Sequence, residues 1–147
     1  MDELKTQLRE TLATVFAFYL KCHNYHWNVD GPLFYTYHNM FRDISDDVYS
    51  SVDKFAEHLR TFGTYAPGGL SRFAELSKVD DATTSHPSAK EMVNQLLADS
   101  EIVLTSLNAC MAAAEKQNAQ GLMNFLGERI EQHQKWAWFL RASSKGE

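Results

Sequence analysis

Apolar residues recur at three- and four-residue intervals through most of the chain, and proline and glycine interrupt the pattern at only a few places. From about Asp2 to Val29 the stripe runs Leu4, Leu8, Leu12, Val15, Phe16, Tyr19 and Leu20. From Leu33 to Phe62 it runs Tyr37, Phe41, Ile44, Val48, Val52, Phe55 and Leu59. A third segment opens after Pro87, where Ser88 and Glu91 have the spacing of a capping box, and continues through Met92, Leu96, Val103, Leu107 and Met111. A fourth, from Ala119 to Ala142, carries Leu122, Phe125, Leu126, Ile130, His133, Trp136 and Leu140. No alternating, strand-length segment competes.

Four amphipathic helices of this length predict an all-α four-helix bundle, a single domain over residues 1–147. Asp30-Gly31-Pro32 makes the first two helices antiparallel neighbours, and Lys116-Gln117-Asn118 does the same for the last two. The stretch between the second and third is too long for a tight turn. It predicts a crossover along the bundle, as in ferritin-like folds, with Leu70 to Leu76 as a short helix inside it.

The chain has 147 residues, 44% of them apolar, with 14 Lys plus Arg against 19 Asp plus Glu and a formal charge of −5. That sign disfavours a dedicated nucleic-acid binder and suits cations better. Cys22 and Cys110 make neither a CxxC pair nor a disulfide framework, so a reducing, cytoplasmic compartment is expected. No signal-like leader or long uninterrupted apolar run appears, and no membrane association is expected. Phosphate-binding glycine loops, HExxH and GxSxG are absent. No Glu stands three residues before any of the six histidines, so the Glu-x-x-His pairs of an intrasubunit di-iron bundle are missing.

The second helix holds the informative constellation. Wound at about 100° per residue from His38, Arg42, Asp46, Asp53 and Glu57 form one polar strip beside the apolar stripe. On an isolated bundle such a strip is simply solvated. Beside another helix it becomes a site, because Asp53 and Glu57 at i and i+4, with imidazoles such as His26, supply the oxygen and nitrogen ligands that iron or zinc accepts. His26, next to Trp27, has a packing reading as well, and His23 is a candidate secondary ligand. Trp136, Trp138 and Phe139 read as core and subunit contacts, His58 and His86 as surface residues, and both cysteines as buried fillers.

The run HNYHWNVDGPLFYTYHNMF, followed by Asp53 and Glu57, resembles the signature of the Dps family, the mini-ferritins. NFLGERIEQHQKWAWFLRA resembles that family's last helix, and Tyr65-Ala66-Pro67-Gly68 its exit from the second; the match covers nearly the whole chain. The resemblance implies a hollow homo-dodecamer of four-helix bundles. Such a shell oxidises Fe(II), with hydrogen peroxide as preferred oxidant, and stores Fe(III) against oxidative stress. It further implies an iron site shared across a two-fold axis, His26 and His38 from one subunit, Asp53 and Glu57 from its neighbour. Zinc or another divalent cation is an alternative occupant.

Three departures from the family pattern bear on that expectation. Arg42 stands where the family usually has an aspartate ligand, and a guanidinium does not ligate a metal. The sequence offers Arg42 two sets of partners: Asp46 at i+4, or the carboxylates Asp53 and Glu57 in place of the cation. Iron binding is then weakened or limited to one metal per site. At the start of the last helix, Asn118, Ala119, Gln120 and Asn124 replace the acidic residues that commonly line the family's cation pores, which slows or reroutes iron entry. The segment opens with Asp2 and Glu3 rather than a lysine-rich tail, and Arg141 to Glu147 holds two cations, so DNA binding is expected to be weak or absent. The alternative functional readings are a structural shell or interaction protein of the same fold whose ferroxidase site Arg42 has impaired, or a non-specific DNA-protecting protein, which the charge and the lack of a lysine-rich tail disfavour.

Overall fold

Five helices carry most of the chain: α1 (Asp2–Asn28), α2 (Phe34–Thr61), α3 (Leu70–Leu76), α4 (Ala89–Lys116) and α5 (Gln120–Ser143). The structure, a computed structural model, describes residues 1–82 and 84–146, so Glu147 of the C-terminal tail lies outside it; among the described residues there is no strand. Each boundary has a local cause. Gly31 adopts φ +112° in the α1–α2 turn, and Gly63 adopts φ +82° just beyond α2, conformations that L side chains rarely take. Ser88 caps α4, its Oγ accepting from the Glu91 N–H at 3.2 Å, as the capping-box spacing predicts. The α4–α5 turn is tight enough to hold Asn118 at φ +50°.

Cross-helix contacts fix the directions. Thr11 meets Ser106 with its hydroxyl at 2.8 Å, Lys21 meets Asp99 at 2.9 Å and Tyr25 donates to Gln95. As numbers rise along α1 they fall along α4, so these two helices are antiparallel. Phe55 packs on Phe125, Asp47 bonds Arg129 and Trp136, and Ser143 reaches Met40, which makes α2 and α5 antiparallel too. With α1 and α2 joined by a short turn, α2 and α4 must run parallel. Consecutive helices that run parallel need a crossover. That is why the described residues between α2 and α4 travel the length of the bundle, with α3 laid over α1 through Phe73 on Phe16.

The core is the four predicted stripes facing inward, except in the second half of α1, where Phe18, Cys22 and Tyr25 are buried while Phe16 and Tyr19 are half-buried and Leu20 is exposed. Leu4, Leu8, Leu12, Val15 and Phe18 of α1 meet Phe41, Ile44, Val48, Phe55 and Leu59 of α2, and Met92, Leu96, Val103, Leu107, Leu122, Leu126 and Leu140 complete it. α4 is long and apolar enough to cross a membrane by length and composition, and its apolar stripe is buried in this core. Cys22 and Cys110 are both buried and unpaired. Burial pushes the Cys22 thiol well up and Cys110 up to about 12, so both remain neutral thiols rather than metal-binding thiolates.

Candidate functional site

The α1–α2 turn brings two of the four candidate ligands together. His26 lies in the last turn of α1 and His38 near the start of α2, and their rings stack with centroids 3.9 Å apart. Each ring clasps the other's backbone. His26 Nδ1–H donates to the His38 carbonyl at 2.7 Å, and His38 Nδ1–H donates to the His26 carbonyl at 2.6 Å. Because a carbonyl only accepts, both Nδ1 atoms carry protons, and in the neutral ring both Nε2 atoms keep a lone pair. A metal-binding imidazole is commonly oriented this way, its second nitrogen bonded to a backbone oxygen.

Aromatic rings surround the pair. Phe34 stacks on His38 at 4.9 Å. His23, the candidate secondary ligand, lies 5.6 Å from His26, 4.5 Å from Trp27 and 5.6 Å from Tyr19, centroid to centroid. Its Nδ1 sits 3.4 Å from the Ser45 hydroxyl. Trp27 is 62% exposed.

The other two candidates are elsewhere. Fifteen residues of continuous helix separate His38 from Asp53, about 22 Å at the α-helical rise. Asp53 and Glu57 are exposed, one turn apart, and neither forms an ion pair or hydrogen bond among the described residues. Asp53 borders a cavity with Tyr49, Pro67, Gly68 and Phe73; Glu57 borders another with His58, Asn124, Phe125 and Glu128. Among the described residues no three His, Cys, Asp or Glu side chains gather as a metal site within one chain.

Several residues sit differently from their sequence-based expectation. Arg42 does not pair with Asp46; its guanidinium lies 3.6 Å from Asp43, with both side chains about half exposed. Asp53 of its own chain is eleven residues along the helix, about 16 Å away. His58 is not a plain surface residue: it is half-buried and stacked on Phe125 at 5.4 Å, and burial together with the Lys54 charge lowers its pKa. His86 is exposed as expected. Trp136 is core, whereas Trp138 is 57% exposed. Asn118, Gln120 and Asn124 are exposed around the start of α5, with Ala119 half-buried.

Sequence reasoning missed two buried ionic clusters. In one, Lys21 pairs with Asp99; burial raises the Asp99 pKa, and the lysine only partly offsets it. In the other, Arg129 forks onto Asp47 at 2.9 and 3.2 Å, and Trp136 Nε1–H donates to the same carboxylate at 2.7 Å. Arg129 Nη2 also donates to His133 Nε2 at 3.4 Å, which leaves the proton of the neutral ring on a buried Nδ1 that has no partner among the described residues. Burial and the Arg129 charge push His133 down to about 3, against the pull of Asp47. Burial alone would raise Asp47; hydrogen bonds from Arg129 and Trp136 and the guanidinium charge hold it below the ordinary carboxylate range. The available signal was Arg129, His133 and Trp136 at i, i+4 and i+7 on the apolar face of α5, which calls for an acid on the facing helix.

A family model for the ferritin-like domain matches residues 5–144. An uncharacterized low temperature-induced protein of Nostoc sp. is 30% identical over 141 residues, spanning 95% of this chain and 79% of that protein. DNA protection during starvation protein 2 of Bacillus anthracis is 27% identical over 135 residues, 92% of each chain. Among solved structures, Dps from Staphylococcus aureus superposes with a TM-score of 0.93 at 24% identity, covering 100% of this chain and 98% of that one. A Dps protein from Bacillus brevis gives 0.91 at 26% identity, over 97% and 95%. The ferritin-like match spans nearly the whole bundle and the relatives that name a family name Dps: the chain belongs to the Dps family of ferritin-like proteins.

Proposed function

We propose that this protein is a mini-ferritin that binds Fe(II) between two-fold-related subunits, oxidises it with hydrogen peroxide in preference to dioxygen, and stores the Fe(III) inside a dodecameric shell. The observation that carries this reading is the split of the ligand set. One chain offers a clasped pair of imidazoles with both Nε2 lone pairs uncommitted, and about 22 Å along the same helix a pair of carboxylates without partners among the described residues. Only a second copy, turned about a two-fold axis, brings His26 and His38 of one chain against Asp53 and Glu57 of another. Imidazole suits Fe(II), and hard carboxylates favour the Fe(III) product, so oxidation strengthens the grip of the carboxylate half. Zinc or another divalent cation competes for the same donors. Arg42, one turn after His38, limits each site to one metal.

With −5 on every subunit, phosphate repulsion makes DNA a poor partner at ordinary salt. Two free, buried thiols fit a cytoplasmic setting. The second reading, a shell without ferroxidase activity, draws its support from Arg42 alone. Anaerobic addition of Fe(II) to the apo-protein, then peroxide, separates the two: Fe(III) absorbance rising well above the protein-free blank is expected. No rise above the blank rules for the inactive shell, and elution at monomer size removes the shared site altogether.

A further inference from the structure

Aromatic rings follow the surface of one chain from one half of the proposed iron site to the other. Trp27, beside His26, packs on His23 at 4.5 Å; His23 meets Tyr19 at 5.6 Å; Tyr19 meets Tyr49 of α2 at 4.8 Å. Tyr19, His23 and Trp27 are spaced i, i+4 and i+8, so they stack along a single face of α1. Tyr49 stands one turn before Asp53 and borders the same cavity. A branch from His23 to His26 at 5.6 Å and on to His38 at 3.9 Å ties the start of the ladder to both imidazoles. In the single chain Trp27 is 62% and Tyr49 56% exposed, whereas the core aromatics Phe18, Phe41 and Phe55 are fully buried, so the row lies outside the bundle core.

We propose that Trp27, His23, Tyr19 and Tyr49 form an electron relay that joins the two iron half-sites of a chain. The relay rests on the site assignment made under Proposed function. In a two-fold pair, the imidazole half of a chain belongs to one shared site and its carboxylate half to the other. Each chain therefore wires the two sites together. The chemistry calls for such a link, because Arg42 leaves each site one Fe(II), which offers one electron, whereas peroxide must take two to reach water. Reduction by a single electron instead breaks the O–O bond into hydroxide and a hydroxyl radical.

Through the relay, peroxide at one site takes one electron from the Fe(II) there and one from the aromatic row, which the Fe(II) of the other site refills. The balance is two Fe(II), one hydrogen peroxide and two protons giving two Fe(III) and two water molecules. The oxidisable members are Trp27, Tyr19 and Tyr49; the His23 ring fills the gap between Trp27 and Tyr19 without being oxidised itself. Burial and the nearby Tyr49 and Asp46 hold the Tyr19 phenol protonated, so its proton leaves and returns with the electron.

The test loads one Fe(II) per subunit anaerobically, adds limiting peroxide, and measures both Fe(II) consumed per peroxide and spin-trapped hydroxyl radical. The wild type should consume about two Fe(II) per peroxide with little radical. Tyr19→Phe with Tyr49→Phe, which keeps the rings and removes the oxidisable phenols, should fall toward one with several-fold more trapped radical, while the off-ladder control Tyr65→Phe behaves as wild type. Unchanged ratios in the double variant overturn the relay but leave the site assignment standing. No oxidation by the wild type overturns the site assignment, and the relay's role with it. A second arm needs no iron. A photo-oxidant attached at Asn28→Cys, the accessible thiol because Cys22 and Cys110 are buried, should oxidise Trp27 and give a tyrosyl radical whose yield falls at least tenfold when Tyr19→Phe and Tyr49→Phe are combined. A yield indifferent to both substitutions overturns the path.

Discussion

Two polar clusters share α2 and have opposite characters. Asp47 is locked to Arg129 and Trp136, beside buried His133, and its acceptors are used within the chain. The Nε2 atoms of His26 and His38, and the carboxylates of Asp53 and Glu57, are left uncommitted at the surface. A polar group satisfied inside its own bundle is there to hold helices in register. A polar group left open at the surface is free to meet a partner from outside the chain, which is the role proposed above for this cluster. Charge and composition do not tell the two apart, since Asp47 and Asp53 are the same residue six positions apart. What differs is the facing helix: α5 presents a guanidinium and an indole to Asp47, and none of the described residues bonds Asp53.

The sharpest way to break the contrast is to remove the internal acid. Asp47→Ala strands Arg129, whose side chain is 6% exposed, as an uncompensated buried charge, which should cost about 3–5 kcal/mol. The measurement is the thermal midpoint of the assembled protein. Replacing both partners, Asp47→Leu with Arg129→Met, should recover most of the loss, because an apolar pair of similar volume needs no desolvated charge. A midpoint unmoved by Asp47→Ala would mean the clamp holds nothing.

The same cluster should make the fold acid-sensitive. His133 is held near 3 in the folded chain, against about 6.5 when unfolded. Between those values the unfolded state binds a proton that the folded state refuses. Stability therefore falls as pH falls through that window, by up to about 1.4 kcal/mol per pH unit, or about 2 kcal/mol at pH 5. The depressed Asp47 adds to the loss only at lower pH, once its carboxylate begins to protonate. Thermal midpoints at pH 7 and pH 5 check this: the difference should shrink in His133→Gln, and an equal difference in both proteins would assign the acid sensitivity to another group.

Helix boundaries were legible in the sequence because they are local chemistry. Gly31-Pro32, Gly63 and the Ser88 cap each act within a few residues, and the four apolar stripes became the four core faces except in the second half of α1. The clamp was not legible, since Asp47 and Arg129 are 82 residues apart and only the antiparallel pairing of α2 with α5 brings them together. Periodicity marks which face points inward, not that a charge on that face has found its partner. The imidazoles were named from the motif, but their mutual clasp depends on how the α1–α2 turn folds back. Of the two sets of partners expected for Arg42, the intrahelical one did not form: helical spacing offered Asp46, while the side chain turned to its neighbour Asp43.

At the open cluster the signature should reverse. His26→Ala, or Asp53→Ala with Glu57→Ala, should lower peroxide-driven Fe(II) oxidation at least tenfold, about 1.4 kcal/mol or more in barrier. The Asp53 and Glu57 changes should alter the stability of the subunit fold by only about 0.5 kcal/mol, as expected of exposed groups without partners. Mixed shells sharpen the point. If the site is shared, His26→Ala subunits combined with Asp53→Ala, Glu57→Ala subunits should regain part of the activity that each lacks alone, because some two-fold pairs then hold one intact site. Absence of any such rescue would place the ligands within one chain after all.

Arg42 lies between the two clusters, one turn from His38 and five residues before Asp47, and belongs to neither. Its ion pair with Asp43 at 3.6 Å is between half-exposed side chains and contributes at most about 1 kcal/mol, so replacing it should leave the thermal midpoint nearly unchanged. Its effect falls on the site. Arg42→Asp supplies a carboxylate at the position one turn after His38 and should raise metal stoichiometry from one to two per site, with oxidation by peroxide about threefold faster, roughly 0.6 kcal/mol. Arg42→Gln removes the charge without supplying a ligand. If the guanidinium acts only by repelling the cation, the two variants gain equally; if a missing ligand is the limit, only Arg42→Asp gains. Equal rates and equal stoichiometry in wild type and Arg42→Asp would mean that Arg42 does not restrict the site, and the case for an electron link between singly loaded sites would lose its chemical motive.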